Sequence, residues 1–357
     1  MSEFEERIEK VRAALSEGEG ALISGIPNRF YLTGFNSSDG EVLITHRGAY
    51  FFIDFRYVEK ARSVVRDMTV ILYERGGQIL EQMRADGVRR LLLEADVTSL
   101  STCARYEKVF EGVEIAHEDT VDRVLRKARS IKTPAELSRI CAAQKLTDDT
   151  FTYILGRIEP GRTERDVMLD MEFYMRRLGS EGVSFDFIVV SGKNSSLPHG
   201  VPTDKKIERG DFLTMDFGAI VDGYHSDMTR TVAVGCVDEE QRRVYETVAA
   251  AQSASFAVIR PGTLCRDVDA AARNLIDGAG YAGCFGHGLG HSVGIEIHEQ
   301  PACNRRDETP MAPGMIMTVE PGIYLENRYG VRIEDMVVVT ENGYENLTHS
   351  EKKLLIV

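Results

Sequence analysis

Ile158-Glu159-Pro160-Gly161-Arg162-Thr163-Glu164-Arg165-Asp166-Val167 returns further along the chain as Ile259-Arg260-Pro261-Gly262-Thr263-Leu264-Cys265-Arg266-Asp267-Val268. Both copies fit I-x-P-G-x-x-x-R-D-V. Downstream of each comes a strand-like run ending in a carboxylate: Thr214-Met215-Asp216-Phe217-Gly218 after the first, Thr318-Val319-Glu320-Pro321-Gly322 after the second. A pair of ordinary Pro-Gly helix entries would account for the first motif alone. Two motifs recurring in one order predict two related halves about an approximate two-fold axis, each delivering a carboxylate strand to a shared centre.

Working outward from Asp216, the segment from Asp211 to Thr231 reads as two β-rich runs around Asp222-Gly223, a dipeptide suited to a tight hairpin. With that pair at the turn, Val221 faces Tyr224 and Gly218 faces Asp227. Alternation of side chains then puts Asp227 on the face of Asp216 as its diagonal neighbour, at about 7–8 Å between backbones. Two carboxylates aimed at one point repel, and a metal ion supplies the counter-charge. In the second half, a connection centred on Asn327 to Gly330 brings Glu320 near Glu334. Pro321 cannot donate to a ladder and marks an edge or bulge there.

Between the acidic strands runs His287-Gly288-Leu289-Gly290-His291-Ser292-Val293-Gly294-Ile295-Glu296-Ile297-His298-Glu299. H-x-x-x-H occurs in helical zinc sites, but the glycines at 288 and 290 and the missing glutamate argue against a helix, so strand and loop are expected. Five of the eight histidines (199, 225, 287, 291, 298) lie in or beside the candidate strands. A lone histidine is usually structural; this clustering favours chemistry. Oxygen ligands with one imidazole suit Mn²⁺ or Co²⁺ better than a thiolate-type zinc site, with Zn²⁺ an alternative. Four carboxylates exceed the needs of one ion, so two divalent ions are expected, with a bridging water acidified to hydroxide as the nucleophile.

The bulk properties fit a globular enzyme. Lys plus Arg number 43 against 56 Asp plus Glu, a formal charge of −13 in 357 residues, which argues against nucleic acid or anionic lipid as partner. Met1 to Lys10 is charged where a signal peptide needs an apolar stretch, and no run of about 20 apolar residues occurs, so a cytoplasmic protein without membrane contact is expected. The six cysteines show no C-x-x-C pair and are read as reduced, buried thiols. A helix from about Glu3 to Leu15 and apolar runs at Ala21–Ser24, Glu41–Thr45, Tyr50–Asp54, Thr69–Tyr73 and Arg90–Glu94 make an α/β domain over residues 1–128. After the basic stretch Arg123–Lys132, Thr133-Pro134 opens a new helix. Residues 129–357 form the second domain.

Taken together, these residues resemble the metal-dependent Xaa-Pro peptidases of the pita-bread fold, the family of aminopeptidase P and prolidase, more distantly related to methionine aminopeptidase and creatinase. Asn28–Phe35, Asp54–Tyr57 and Ile131-Lys132-Thr133-Pro134 are similar to that family's N-terminal domain and linker. The fold class implied is α/β (α+β): a creatinase/prolidase-type α/β domain followed by a pseudo-two-fold pita-bread domain. The resemblance makes Asp227 and Glu334 bridge both ions, with Asp216 completing one and His291 with Glu320 the other. Glu320 would also act as acid/base, His199 and His298 would contact the scissile peptide, His287 would line the proline side, and Arg332 would orient the carboxylates. The implied substrate is a proline-containing peptide, and the implied assembly a homodimer.

Typical prolidases carry an Arg after H-E-x-P to hold the substrate carboxylate. Here Ala302 follows His298-Glu299-Gln300-Pro301, although Arg305 and Arg306 stand near enough for a shifted loop to substitute. This departure favours aminopeptidase action on longer Xaa-Pro peptides over dipeptidase action. Ser292 replaces a common glycine, with no effect assigned to it. Creatinase-like enzymes and metal-free binding modules on this fold have lost ligands from the set of five; all five are present here. Methionine aminopeptidase usually lacks so large an N-terminal domain.

Overall fold

Thr133 starts a 22-residue helix through a reciprocal cap: its hydroxyl accepts from the Glu136 amide at 3.3 Å, and the Glu136 carboxylate accepts from the Thr133 amide at 2.9 Å. Pro134 occupies the first turn, where its missing N–H leaves no bond unmade. This computed structural model describes residues 1–74 and 77–357, which fall into two compact units, Met1–Arg129 and Ser130–Val357.

The first unit runs α1 (Glu3–Arg12), β1 (Glu19–Ile23), α2 (Ile26–Thr33), β2 (Glu41–Thr45), β3 (Ala49–Ile53), α3 (Val58–Val64), β4 (Thr69–Leu72), α4 (Gly77–Asp86), β5 (Arg90–Leu93), α5 (Leu100–Val109), β6 (Glu114–Ala116) and α6 (Thr120–Ser130). Its six strands form one mixed sheet in the order β4-β3-β2-β1-β5-β6. Each apolar run read from the sequence is a strand, Glu41–Thr45 with the expected ends and the other four with an end shifted by a residue or two. Leu22, Leu43, Phe52 and Leu91 pack with Ile79 and Met83 of α4, so burial of one sheet face holds the unit together.

The second unit is built twice over. Its first half is α7 (Pro134–Leu155), α8 (Glu164–Arg177), β7 (Ile188–Ser191), β8 (Phe212–Phe217), β9 (Ile220–Val221), β10 (Tyr224–His225) and β11 (Met228–Ala233). The second half is α9 (Glu239–Phe256), α10 (Cys265–Ile276), β12 (Gly290–Ser292), β13 (Glu299–Cys303), β14 (Ile316–Val319), β15 (Gly322–Leu325), β16 (Tyr329–Arg332), β17 (Asp335–Thr340) and β18 (Gly343–Asn346). The repeated Pro-Gly motifs occupy matching places. Gly161 (φ +99°) and Gly262 (φ +87°) take the left-handed turn before α8 and α10. The first amides of those helices donate to the chain downstream: Glu164 to Lys205 and Arg165 to Thr203, Cys265 to Thr309 and Arg266 to Asp307. Each helix pair covers its own apolar cluster, Phe151, Met171 and Met215 in one half, Val248, Val268 and Met317 in the other.

Register fixes where the acids fall. Asp222 (φ +48°) and Gly223 (φ +74°) make the expected hairpin turn, Tyr224 faces Val221, and Thr229 faces Asp216. Asp227 is therefore the diagonal neighbour of Asp216, as the sequence predicts. In the second half the turn is tighter than expected. It is centred on Asn327 (φ +57°), with Tyr329 and Gly330 already paired in β16. Gly322 faces Arg332 and Val319 faces Asp335, so the intervening Glu320 and Glu334 come opposite each other at the break that Pro321 makes in the ladder. The thiols also depart from expectation: all are free, but only Cys265 and Cys303 are buried, while Cys141 and Cys236 are exposed.

Gly218 is needed for this register. A Cβ there would come within 1.8 Å of the Ser226 carbonyl oxygen, whereas one at Gly156 would meet nothing within 4 Å. Gly218→Ala should lower unfolding stability by about 3 kcal/mol in chemical denaturation, and Gly156→Ala should stay within about 0.5 kcal/mol of the parent. Equal midpoints for the two variants would contradict this account of the hairpin.

Candidate metal centre

Asp227, His291 and Glu334 each offer a ligand atom, and these atoms all lie within 4.8 Å of one another. Glu320 joins them through His291, whose Nε2 stands 3.5 Å from Glu320 Oε1 and 3.6 Å from Asp227 Oδ2. Asp216 lines the same cavity and receives Arg332 Nη2 on Oδ2 at 2.5 Å. The five residues expected as ligands thus converge, from β8, β12 and the breaks before β11, after β14 and before β17.

Hydrogen bonds aim His291, Glu320, Glu334 and Asp216. His291 Nδ1 is 3.1 Å from the Ser292 carbonyl oxygen, so Nδ1 carries the proton and Nε2 presents a lone pair to the carboxylates. The Thr318 hydroxyl accepts from the His291 amide at 3.0 Å and donates to Glu320 at 3.1 Å, tying imidazole and carboxylate to one side chain. Thr229 donates to Glu334 Oε2 at 2.7 Å. Arg332 donates to the Thr229 hydroxyl, the Pro198 carbonyl and the Tyr324 hydroxyl, and Tyr324 in turn meets His287 Nε2 at 2.9 Å. His298 packs edge-on against His291, ring centres 4.4 Å apart, and His199 lines the cavity beside Pro198.

The donor set suits divalent cations. Asp216 Oδ1, Asp227 Oδ1 and Glu334 Oε1 are buried carboxylate oxygens without a hydrogen-bond partner, an expensive arrangement for the protein alone. Burial, then the neighbouring Glu334, Asp216 and Glu320, push Asp227 far above the usual carboxylate range. Burial with Glu320 and Asp216 does the same to Glu334. Burial raises Glu320 to about 8, with Asp216 adding to the rise and Arg332 opposing it. Burial and then His298 bring His291 down to about 4, leaving the neutral imidazole that a metal requires.

Above the acids opens a cavity of about 800 Å³, whose other walls include Met168, Phe185, Phe187 and Val201. Its polar floor and apolar walls suit a short peptide.

Residues 138–341 match Metallopeptidase family M24, and residues 7–131 match the Creatinase/Prolidase N-terminal domain. The chain belongs to the Xaa-Pro peptidases of family M24. It is a metallo-exopeptidase, and its second unit is a pita-bread domain. Over 98% of its length it is 42% identical to the whole of the uncharacterized peptidase YqhT of Bacillus subtilis (strain 168). The solved Xaa-Pro dipeptidase from Bacillus anthracis superposes with a TM-score of 0.95 at 38% identity, covering 99% of this chain and 100% of that one. The X-Pro aminopeptidase from Thermotoga maritima MSB8 does so at 0.91 and 33%, covering 98% and 100%.

Not every polar residue singled out in this peptidase reaches the centre. His225 turns to the Ser184 hydroxyl at 2.8 Å, and burial lowers its pKa. Among the described residues, Ala302 and Asn304 line the cavity whereas Arg305 and Arg306 do not, so the substitute cation envisaged for a shifted loop is not at the wall. Tyr324, Thr229 and Thr318 were missed: each orients a charged group or histidine, but an isolated Tyr or Thr in a strand carries no signal of that in the sequence. Another trio, Cys103, Glu107 and His117, gathers on the first unit. There the imidazole turns Nδ1 to the thiol (3.7 Å) and Nε2 to the carboxylate (3.4 Å), so as oriented it addresses the two from opposite edges. No described helix is long and apolar enough to cross a membrane.

The raised carboxylates set the pH response of metal-depleted peptidase. Below the unfolded carboxylate value of about 4, the folded and unfolded chains are both protonated and the stabilising contribution is complete. As pH climbs toward the folded value, about 8 for Glu320, the folded chain binds more protons than the unfolded one, and stability falls. Up to about pH 6.5 the lowered His291 opposes this fall, being neutral in the folded chain and charged in the unfolded one, so with chelator present Tm should drop chiefly between about pH 6.5 and 8, and added Mn²⁺ should raise Tm most at the upper end, where it competes with fewer protons. Parallel Tm profiles with and without the ion would refute this.

Proposed function

We propose that the protein is an Xaa-Pro aminopeptidase: it removes the first residue of peptides whose second residue is proline, using two divalent cations, Mn²⁺ before Co²⁺ or Zn²⁺. What carries this reading is the convergence of Asp227, Glu334 and the His291 lone pair, with three buried carboxylate oxygens left without partners. Asp227 and Glu334 would be shared between the cations, with Asp216 on one side and His291 and Glu320 on the other. When bound, the cations supply a Lewis acid for the peptide carbonyl and lower the pKa of the attacking water. Glu320 accepts a proton from that water and passes it to the departing proline nitrogen. His199 and His298 donate to the carbonyl oxygen as it becomes anionic. His287, held by Gly288 and Tyr324, walls the proline side, and Arg332 keeps Asp216 and the Pro198 carbonyl in place. The same proposal has the peptidase act as a cytoplasmic homodimer, which light scattering reads for the assembly.

Aminopeptidase action is favoured because Ala302 and Asn304 give the wall beyond the histidines no charge to hold a substrate carboxylate. One observation favours a dipeptidase instead: Arg165 lines the cavity, half-exposed and bonded to Asp204 at 2.9 Å. Xaa-Pro-Yaa and the amide of Xaa-Pro should be cleaved with kcat/KM within about tenfold of each other, since neither group need be recognised by charge. A preference of about 100-fold or more for free Xaa-Pro over its amide, abolished by Arg165→Ala, would establish the dipeptidase.

Asp227→Asn and Glu334→Gln should each reduce turnover by more than the roughly 100-fold typical of losing an outer-sphere partner. Bound metal should fall in parallel while the circular dichroism spectrum is unchanged. Parental turnover in either variant would remove that residue from the ligand set.

A further inference from the structure

Two features of the sequence have no part in the chemistry above, the linker lysine of Ile131-Lys132-Thr133-Pro134 and the serine at 292. They meet in the interior. The Lys132 side chain is only 2% exposed, and its ammonium donates to Ser292 Oγ at 2.9 Å and Glu299 Oε2 at 3.1 Å. Its backbone amide is fixed by the Gly314 carbonyl at 2.9 Å.

Ser292 and Glu299 are partners across the ribbon of β12 and β13, at the point where its register shifts. Each is next in sequence to a histidine of the cavity, Ser292 to His291 and Glu299 to His298. Successive side chains in an extended ribbon point to opposite faces. Accordingly His291 and His298 line the cavity, while Ser292 and Glu299 are absent from its described lining and meet Lys132 beneath. The other Glu299 oxygen accepts from the amides of Ile295 (2.9 Å) and Glu296 (3.2 Å), drawing in the loop that leads to His298. Gly294 makes room for it, since a Cβ there would lie 2.6 Å from both carboxylate oxygens.

We infer that Lys132 is a positioning residue for the peptidase reaction: by clamping Ser292 and Glu299 from below, it sets the spacing of His291 and His298 above. A buried ion pair is commonly no more stabilising than well-packed apolar side chains, so a purely stabilising pair would be replaceable. A clamp would not be. The serine lets one ammonium hold both strands, and glycine at 292 would leave only the Glu299 strand held. This inference rests on the reading that His291 holds a cation and His298 meets the substrate.

The test compares Lys132→Met, the apolar replacement Lys132→Met/Glu299→Leu, and Ser292→Ala, reading Tm, Mn²⁺ affinity by calorimetry, and kcat and KM separately at saturating Mn²⁺. The single Lys132 variant should lose roughly 10- to 100-fold in Mn²⁺ affinity and in kcat, with KM changed less than about threefold. The double variant should recover Tm but neither affinity nor kcat. Ser292→Ala, which keeps the ion pair and can be purified even if the Lys132 variants fail to fold, should weaken Mn²⁺ by about fivefold. In a His298→Ala background, Lys132→Met should lower kcat by no more than about twofold further, because coupled residues do not add. Recovery of affinity and kcat together with Tm in the double variant overturns the clamp, as does parental Mn²⁺ affinity in Ser292→Ala. Controls separate the premise from the inference: if His291→Ala keeps parental Mn²⁺ affinity and His298→Ala keeps parental kcat, the site reading itself has failed.

Discussion

Asp216, Asp227, Glu320 and Glu334 crowd one cavity, where burial and mutual repulsion disfavour the charged forms of Asp227, Glu320 and Glu334. Arg332 is the one guanidinium described at their centre, and a single positive charge cannot balance four carboxylates. The remaining deficit is what a divalent cation relieves, and much of the second unit can be understood as scaffolding that holds the acids together despite their repulsion. Oxygens left without protein partners are costly in a folded chain, and they are concentrated here.

The scaffolding joins the two halves directly. Thr229 and Thr231 of β11 bond to Glu334 and to the Arg332 carbonyl, while the Glu334 amide donates back to the Thr229 carbonyl. Arg230, almost fully buried between them, reaches the Glu334 carbonyl and the Asp335 carboxylate. An acid from one half is thereby held by hydroxyls of the other, and neither half carries the centre alone. Arg332, Tyr324 and His287 continue the network along the cavity wall, so the charge that steadies Asp216 also holds, through Tyr324, the imidazole of His287.

Much of this was legible in the chain. Asp222-Gly223 fixed the register of Asp216 and Asp227, because a two-residue turn leaves little freedom in what faces what. The Thr133 cap and the doubled Pro-Gly motif were legible for the same reason, being local devices that act over a few residues. The second hairpin was misplaced by a short step, since Asn327 at positive φ closes it and Tyr329 and Gly330 already belong to a strand. Nothing in that segment distinguishes the tight turn from a looser one until Pro321 and its neighbours are packed. The role of Ser292 was invisible, because its partner lies 160 residues away in the linker.

The sequence by itself determined the two-domain α/β character, the duplication, the five acidic and imidazole groups and their alternation along strands. Those follow from periodicity, turn chemistry and repeated text, all of which act locally. Only the tertiary structure decided which nitrogen of His291 faces the acids, which carboxylate Arg332 steadies, that Arg305 and Arg306 stay away from the cavity wall, and that Lys132 lies beneath the histidines. Those outcomes depend on contacts between residues far apart in the chain, and burial sets their energies once the halves close.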